Sequence, residues 1–302
     1  ASGLFLPEDD PDVVNAKLDF DPIDTFLWAR MQFAAAFNSG DWFAPGGYLT
    51  DYWTDESLKV IEANRNRPFF LYLAHWGVHT PLQATKDDYE AVGDIEPHRL
   101  RVYAAMLRAL DRSVGEITAK LEDEGLADNT IIVFSSDNGG AMFVKWPAKI
   151  TPGTRVDTPV AHIDVMPTLA SAAGASLPEG VVIDGRDMLP VATGTGDISH
   201  PNDALFWQSG YYHVVRAGDW KLQVDGRQKK NWLFDLANDP TEQVNLAEMR
   251  SDKLSELQVL LDAHLADSVA PLYPYTIESP VAIDKTAADT VGPDDEYVWW
   301  PN

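Results

Sequence analysis

The most regular hydrophobic pattern in the chain lies between Arg99 and Glu124. Apolar side chains recur there every three or four residues, which predicts a helix with one face in the core. They are Tyr103, Met106, Leu107, Leu110, Val114, Ile117 and Leu121. Uninterrupted apolar runs on either side, residues 69–74 and 131–134, predict strands that are buried on both faces. A strand, a helix and a second strand in this order indicate a parallel pair with a right-handed crossover.

From residue 204 onward the pattern changes to short apolar runs separated by tight turns, which predicts an antiparallel sheet. The candidate strands are residues 211–216, 220–224 and 232–236. Residues 251–266 carry leucines at helical spacing and predict an amphipathic helix. We therefore predict an α/β fold, with a mixed, mainly parallel sheet sandwiched by helices and a smaller C-terminal α+β subdomain. We predict an incomplete α/β domain at residues 1–200 and the subdomain at residues 201–268. Residues 269–302 form an extended tail rich in proline and aromatic residues in this prediction.

Shorter patterns predict further elements between these landmarks. Residues 50–64 indicate a helix with Thr54 at its N-cap. Residues 142–147 and 160–165 indicate short strands. The first of these follows Gly140 too closely for a parallel neighbour, because such a connection needs a dozen or more residues. The alternatives are a hairpin and an absence of residues after Gly140, and we expect the absence.

Polar side chains follow both predicted central strands. His75 and His79 come after the first strand, and Asp137 and Asn138 come after the second. Carboxylate and amide oxygens are ligands that hard cations prefer, and open α/β sheets bind ligands at the carboxyl ends of their strands. The alternative for Asp137 and Asn138 is a plain turn, since Asp, Asn and Gly dominate turns. The two histidines do not form a helical metal pair, because Gly77 disfavours a helix between them, and a packing role for His75 is the alternative to a functional one.

Composition and charge narrow the classes of partner. The 302 residues include 47 acidic and 23 basic side chains, a net charge of −24 at pH 7. The field of such a chain repels nucleic acid and anionic membranes, so we predict neither as a partner. The sequence has no cysteine for a disulfide or a thiolate metal site, and no apolar run long enough to span a membrane. It opens on Ala-Ser-Gly without an initiator methionine or a signal sequence, so we expect the start to be missing, and we favour a periplasmic or secreted location.

Five motifs, in the same order, resemble those of the sulfatase family within the alkaline-phosphatase-like superfamily. The first is the passage from helix to strand at residues 50–74, and the second is His79–Gln83, which resembles the family's His-x-Pro segment. Ser136–Gly140 is similar to the strand end of its metal site. The fourth motif lies within Lys145–Thr168, and the fifth lies within Arg216–Leu246. Each motif is loose by itself, and their shared order makes the resemblance specific.

The resemblance implies hydrolysis of a sulfate ester by a formylglycine nucleophile, made from Cys or Ser, beside a calcium ion for which magnesium is the alternative. Carried over by position, Asp137 and Asn138 are metal ligands. His79 is the catalytic residue that holds the sulfate or assists the leaving oxygen, and we add His75 as a second substrate-binding candidate. A dication and a histidine donor would both stabilise charge on a transferring sulfuryl group.

Several parts of the family pattern have no counterpart in this sequence. They are an early Asp-Asp metal pair, a Cys/Ser-x-Pro-x-Arg nucleophile motif and a Lys-x-His pair. We therefore expect the formylglycine in a portion of the protein outside this sequence. The expected substrate is a small-molecule or carbohydrate sulfate ester. We expect the aromatic side chains near the end of the tail, Tyr297, Trp299 and Trp300, to dock on the rest of the protein, and a homo-oligomer contact is the alternative. The alternatives to a sulfatase are hydrolysis of phosphate or phosphonate esters, and an inactive chain that retains the fold.

Overall fold

The computed structural model describes residues 5–19, 22–137, 141–270, 272–273, 278–283, 292 and 295–301. The chain divides into two compact units. The first unit comprises residues 1–132 and 145–149, and the second comprises residues 133–144 and 150–302. The domain boundaries predicted at residues 200 and 268 stay predictions. Among the described residues, no helix combines the length and the apolar character that crossing a membrane requires.

The first unit consists mainly of helices around a small antiparallel ribbon. Its elements are β1 (Val13–Asn15), α1 (Pro22–Arg30), α2 (Leu49–Asn64), β2 (Gln83–Thr85), α3 (Lys86–Ala91) and α4 (His98–Asp123). The strands β1 and β2 pair antiparallel, and α2 and α3 pack against α4. The predicted helix is confirmed as α4, but its buried face differs from the predicted stripe. Val102, Ala105 and Met106 are fully buried, whereas Tyr103 and Leu107 of the stripe are exposed, because the small side chains of α4 pack against the neighbouring elements.

The N-terminus of α2 differs from the prediction. The helix begins at Leu49, so Thr54 lies inside it and is not its N-cap. The Thr54 hydroxyl lies 2.8 Å from the Thr50 carbonyl oxygen and 2.6 Å from the Ser113 hydroxyl on α4. The helix extends further because Leu49 is buried in the core of the unit, next to Tyr48, whose hydroxyl donates to the Gln83 carbonyl oxygen.

A buried carboxylate ties α3 to α4. Asp88 is almost fully buried, accepts a hydrogen bond from Arg112 at 2.7 Å and is also bonded by Arg108. Burial by itself would raise the pKa of Asp88, but the hydrogen bonds from Arg112 and Thr85 lower it. Arg112 also donates to Asp51 on α2 at 2.8 Å, so one guanidinium joins three helices.

The two predicted central strands are not buried on both faces. Residues 69–74 form no helix or strand, so the predicted parallel pair with residues 131–134 is not found among the described residues. Phe70 and Tyr72 are 76% and 79% exposed. The second run forms β3 (Ile132–Phe134), which pairs with β4 (Phe143–Lys145). The short connection between the two strands favours the hairpin alternative, because a parallel pair needs a dozen or more connecting residues. Burial on both faces needs packed elements above and below a strand, and the described residues do not provide them. An absence of residues after Gly140 stays a prediction.

The second unit contains an antiparallel sheet covered by a helix. Its further elements are α5 (Val165–Ala172), α6 (Leu189–Thr193), β5 (Ala204–Ser209), β6 (Tyr212–Ala217), β7 (Trp220–Asp225), β8 (Lys230–Asp235), α7 (Ser251–Asp267), β9 (Glu278–Ala282) and β10 (Tyr297–Pro301). Strands β5 to β8 form a meander in chain order. Leu257 and Leu261 of α7 pack on its Leu222 and Leu233. The predicted α/β class with an antiparallel C-terminal subdomain is confirmed.

Two smaller predictions in the second unit have different outcomes. Residues 160–165 are not a strand, because the Asp164 carboxylate accepts the Ala161 N–H at 2.7 Å and turns the chain into a short 3-10 helix that leads into α5. Docking of the aromatic tail is confirmed, since Val298 is buried with Trp232 and the Trp299 N–H donates to Asp225 at 3.0 Å. The oligomer contact stays a prediction.

Candidate functional site

His79 lies on an exposed turn of the first unit, and its tautomer follows from its contacts. Its Nδ1 is 2.5 Å from the Thr80 carbonyl oxygen. A carbonyl oxygen can only accept a hydrogen bond, so Nδ1 carries the proton. Nε2 is then the nitrogen that accepts a proton in the neutral ring and donates one in the imidazolium.

The turn that carries His79 is anchored on both sides. The His79 N–H donates to the Trp76 carbonyl oxygen at 2.9 Å, and the side chains of Trp76 and Val78 pack against the core of the unit. On the other side Leu82 is buried, and its carbonyl oxygen accepts the Ala16 N–H at 3.0 Å. The imidazole therefore stands on a short exposed segment between two fixed points.

His75 faces the interior of the same unit. Its Nε2 lies 2.9 Å from the Ser113 hydroxyl, and Nδ1 is buried without a hydrogen-bond partner in the part of the chain that the structure describes. Burial lowers the pKa of His75, which favours the neutral ring. These contacts favour a packing role for His75, and its part in substrate binding stays a prediction.

Asp137 lies on the second unit with an exposed carboxylate. The Ser136 hydroxyl is 3.5 Å from its Oδ1, at the limit of a hydrogen bond. Asn138 lies outside the described residues. The carboxylate suits calcium in ligand type, but within the described ranges no three His, Cys, Asp or Glu side chains are grouped closely enough to hold a metal ion. Asp137 therefore fits the implied ion in its chemistry without completing a site.

The structure adds a histidine beside Asp137 that no sequence motif indicates. His162 Nε2 lies 2.5 Å from the carbonyl oxygen of Ser136, the residue before Asp137. His162 lies within the short 3-10 helix His162–Asp164, which the Asp164 carboxylate holds in place. Asp164 is buried and also accepts hydrogen bonds from the Arg186 N–H and from His200 Nε2, each at 2.8 Å. No local pattern indicates this contact, because 26 residues separate Ser136 from His162.

The candidate residues fall into two groups. His75 and His79 belong to the first unit, and Asp137 and His162 belong to the second. The convergence of His79 with Asp137 and Asn138 on one cavity stays a prediction. A cavity of about 400 Å³ in the second unit, lined in part by Pro167, is bordered by none of these residues.

Two family models match consecutive parts of the chain. The model described as Sulfatase matches residues 8–143. The model described as N-sulphoglucosamine sulphohydrolase, C-terminal, matches residues 128–270. The two matches overlap in the segment that holds Asp137.

The chain is also similar to individual sulfatases and to a solved structure. Steryl-sulfatase of Homo sapiens is 30% identical over 201 residues, which cover 56% of this chain and 33% of that protein. A sulfatase of Formosa agariphila is 28% identical over 311 residues, which cover 84% of this chain and 56% of that protein. The crystal structure of Ps i-CgsB in complex with k-i-k-neocarrahexaose is 28% identical with a TM-score of 0.71, and the match covers 78% of this chain and 58% of that one. This chain thus spans between a third and just over half of the length of these two curated relatives.

Proposed function

This chain belongs to the sulfatase family, and from that premise we propose that the protein hydrolyses sulfate esters. The observation that carries the proposal is the succession of two sulfatase-type matches, over residues 8–143 and 128–270. A carbohydrate sulfate ester is the proposed substrate class. The oligosaccharide bound to Ps i-CgsB, a neighbour at 28% identity, supports this choice.

His79 is the residue that we assign to the reacting group. Cleavage of a sulfate ester leaves negative charge on the departing oxygen, and a positioned imidazolium can stabilise it or protonate it. The Thr80 carbonyl oxygen holds Nδ1–H and so directs the ring, which leaves Nε2–H as the donor to a sulfate oxygen or to the leaving oxygen. Exposure of His79 on its turn gives an ester access to that donor.

The finer proposal adds calcium and formylglycine. Asp137 and Asn138 are the residues proposed to hold the ion, which would stabilise negative charge on the sulfuryl oxygens when bound. The His162 hydrogen bond to Ser136 supports the role of Asp137, because a positioned main chain holds the carboxylate of the next residue in place. Formylglycine is proposed as the nucleophile on the family resemblance alone.

The first experiment measures hydrolysis by the polypeptide purified from its natural host. We expect turnover of an aryl sulfate at a higher kcat/KM than the matched aryl phosphate. His79→Ala should lower kcat/KM by about 10²- to 10⁴-fold, the usual contribution of a positioned acid or base. His98→Ala is the matched control, since His98 lies in the same unit but bonds Tyr89 and the Asn15 carbonyl oxygen. Equal losses in the two variants would contradict the role of His79, and an absence of sulfate ester hydrolysis would contradict the proposed function.

A second experiment tests calcium and formylglycine separately. Asp137→Ala should weaken calcium binding in calorimetry, while Asp111→Ala on the exposed face of α4 should leave it unchanged. Peptide mass spectrometry after aldehyde trapping should detect formylglycine. Calcium binding that is unchanged in Asp137→Ala would remove the metal assignment.

The alternative to hydrolysis is a non-catalytic binding protein that keeps the fold. The same measurements separate the candidates: neither hydrolysis nor an aldehyde in the natural polypeptide would support the binding protein.

A further inference from the structure

The loop between α1 and α2, together with the N-terminal end of α2, presents a cluster of aromatic rings on the first unit. We call Phe37, Trp42, Phe43, Tyr52 and Trp53 the aromatic patch. Phe37 stacks on Phe43 with ring centroids 5.8 Å apart and meets Trp53 edge to face at 6.3 Å. Phe43 meets Tyr52 edge to face at 6.4 Å, and Tyr52 meets Trp53 at 5.0 Å. Four of the rings therefore form one continuous set of contacts.

Backbone hydrogen bonds hold this loop in shape. Ala35 and Phe43 exchange two N–H to carbonyl bonds of 2.8 Å each, and the Gly40 N–H donates to the Phe37 carbonyl oxygen at 2.8 Å. Asn38 and Ser39 adopt left-handed backbone angles, with φ of 52° and 60°, to complete the turn. A loop closed in this way positions its rings before any ligand arrives, which lowers the entropy lost on binding.

The outer part of the aromatic patch faces solvent. Phe37 is 50% exposed and Trp42 is 59% exposed, while Tyr52 and Trp53 pack against the core of the unit. Exposed apolar clusters of this kind mark binding surfaces. Exposed hydrogen-bonding side chains, Asn38 and Asp41, stand on the same loop.

The mixture of rings and polar groups determines which ligand fits. A pyranose presents an apolar C–H face, which packs on an aromatic ring, and a rim of hydroxyls, which bond amides and carboxylates. A nucleic acid is disfavoured by the net charge of −24. An added peptide strand is disfavoured because Ala35 and Phe43 already use their ladder bonds with each other. Asp41 would also repel a sulfate group placed beside it.

We propose that the aromatic patch binds a sugar ring of an oligosaccharide, at a unit other than the one that bears the sulfate to be cleaved. This inference rests on the proposed function, from which it takes the carbohydrate substrate class. The aromatic patch would hold sugar units that do not carry the sulfate to be cleaved. Trp42 is the principal stacking residue because it is the most exposed ring of the patch.

Binding is tested by isothermal titration calorimetry on the full chain. The probes are k-i-k-neocarrahexaose and desulfated hexasaccharides built on galactose, glucose and N-acetylglucosamine. We expect at least one desulfated hexasaccharide to bind, and Trp42→Ala to weaken its binding about tenfold, as loss of one stacking contact implies. Trp42→Phe should recover part of the loss. Trp207→Ala is the matched control, because Trp207 is also an exposed tryptophan but lies on β5 of the second unit.

Two results would overturn the inference: no binding of any hexasaccharide, or equal affinity in Trp42→Ala and the unchanged chain. Phe37→Ala gives a second, independent test should Trp42→Ala fail to fold by circular dichroism. The outcome is separable from that of the proposed function. Sugar binding without sulfate ester hydrolysis would contradict the proposed function and support the aromatic patch as a binding surface. Hydrolysis with unchanged sugar binding in Trp42→Ala and Phe37→Ala would support the proposed function and contradict the binding surface.

Discussion

Replacing Asp164 by alanine removes the acceptor that organises the loops around α5. Its carboxylate is fully buried and accepts the Ala161 N–H at 2.7 Å, the Arg186 N–H at 2.8 Å and His200 Nε2 at 2.8 Å. An alanine leaves three donors in the interior without these bonds. A buried donor that loses its acceptor costs about 1–3 kcal/mol. Partial relaxation lowers the sum, so we expect a loss of roughly 3–6 kcal/mol in the free energy of unfolding.

This loss is large against the usual stability of a domain, about 5–15 kcal/mol. Denaturant unfolding followed by circular dichroism measures it, and hydrogen exchange at the Ala161 and Arg186 amides shows whether the loss is local. Asp164→Asn keeps one acceptor oxygen, so its free energy of unfolding should lie between those of Asp164→Ala and the unchanged chain. Asp157→Ala is the control, because its exposed pair with Arg155 should contribute at most about 1 kcal/mol. A loss in Asp164→Ala no greater than that of the control would refute the reasoning.

Two further predictions concern pH and self-association. Burial holds the pKa of His75 below its ordinary value near 6.5, so the unfolded chain takes up this proton at a higher pH than the folded chain. The buried neutral ring therefore makes its full contribution to the free energy of unfolding above about pH 6.5, and this contribution is lost as the pH falls below that value. His75→Gln, which can still bond Ser113, should lose less stability than the unchanged chain between pH 7.5 and 5.5, and equal losses in denaturant titrations would contradict this. Tyr72→Lys should reduce self-association in sedimentation velocity, because it places a charge on an exposed apolar segment that pairs with no strand among the described residues. Tyr273→Lys, at another exposed tyrosine, should not reduce it, and an equal effect of both would show that added charge alone is responsible.

The chemistry of the candidate site was visible in the sequence only where it was local. The sequence indicates His79 and Asp137 because each follows an apolar run within a few residues. It does not indicate His162, because the contact of His162 with Ser136 crosses 26 residues. The network around Asp164 was missed for the same reason, since its bonds to Arg186 and His200 span 22 and 36 residues.

The sequence by itself determined the long helices and the type of the C-terminal subdomain. Apolar residues recur every three to four positions along α4 and α7, and this repeat is a local property of the sequence. A helix also forms its backbone hydrogen bonds within one segment, so it needs no distant partner. Only the tertiary structure decided which apolar runs become buried strands, because a strand needs partners that lie far away in the chain. Residues 69–74 show this most clearly: their composition suits a buried strand, yet no strand pairs with them among the described residues, and Phe70 and Tyr72 stay in solvent.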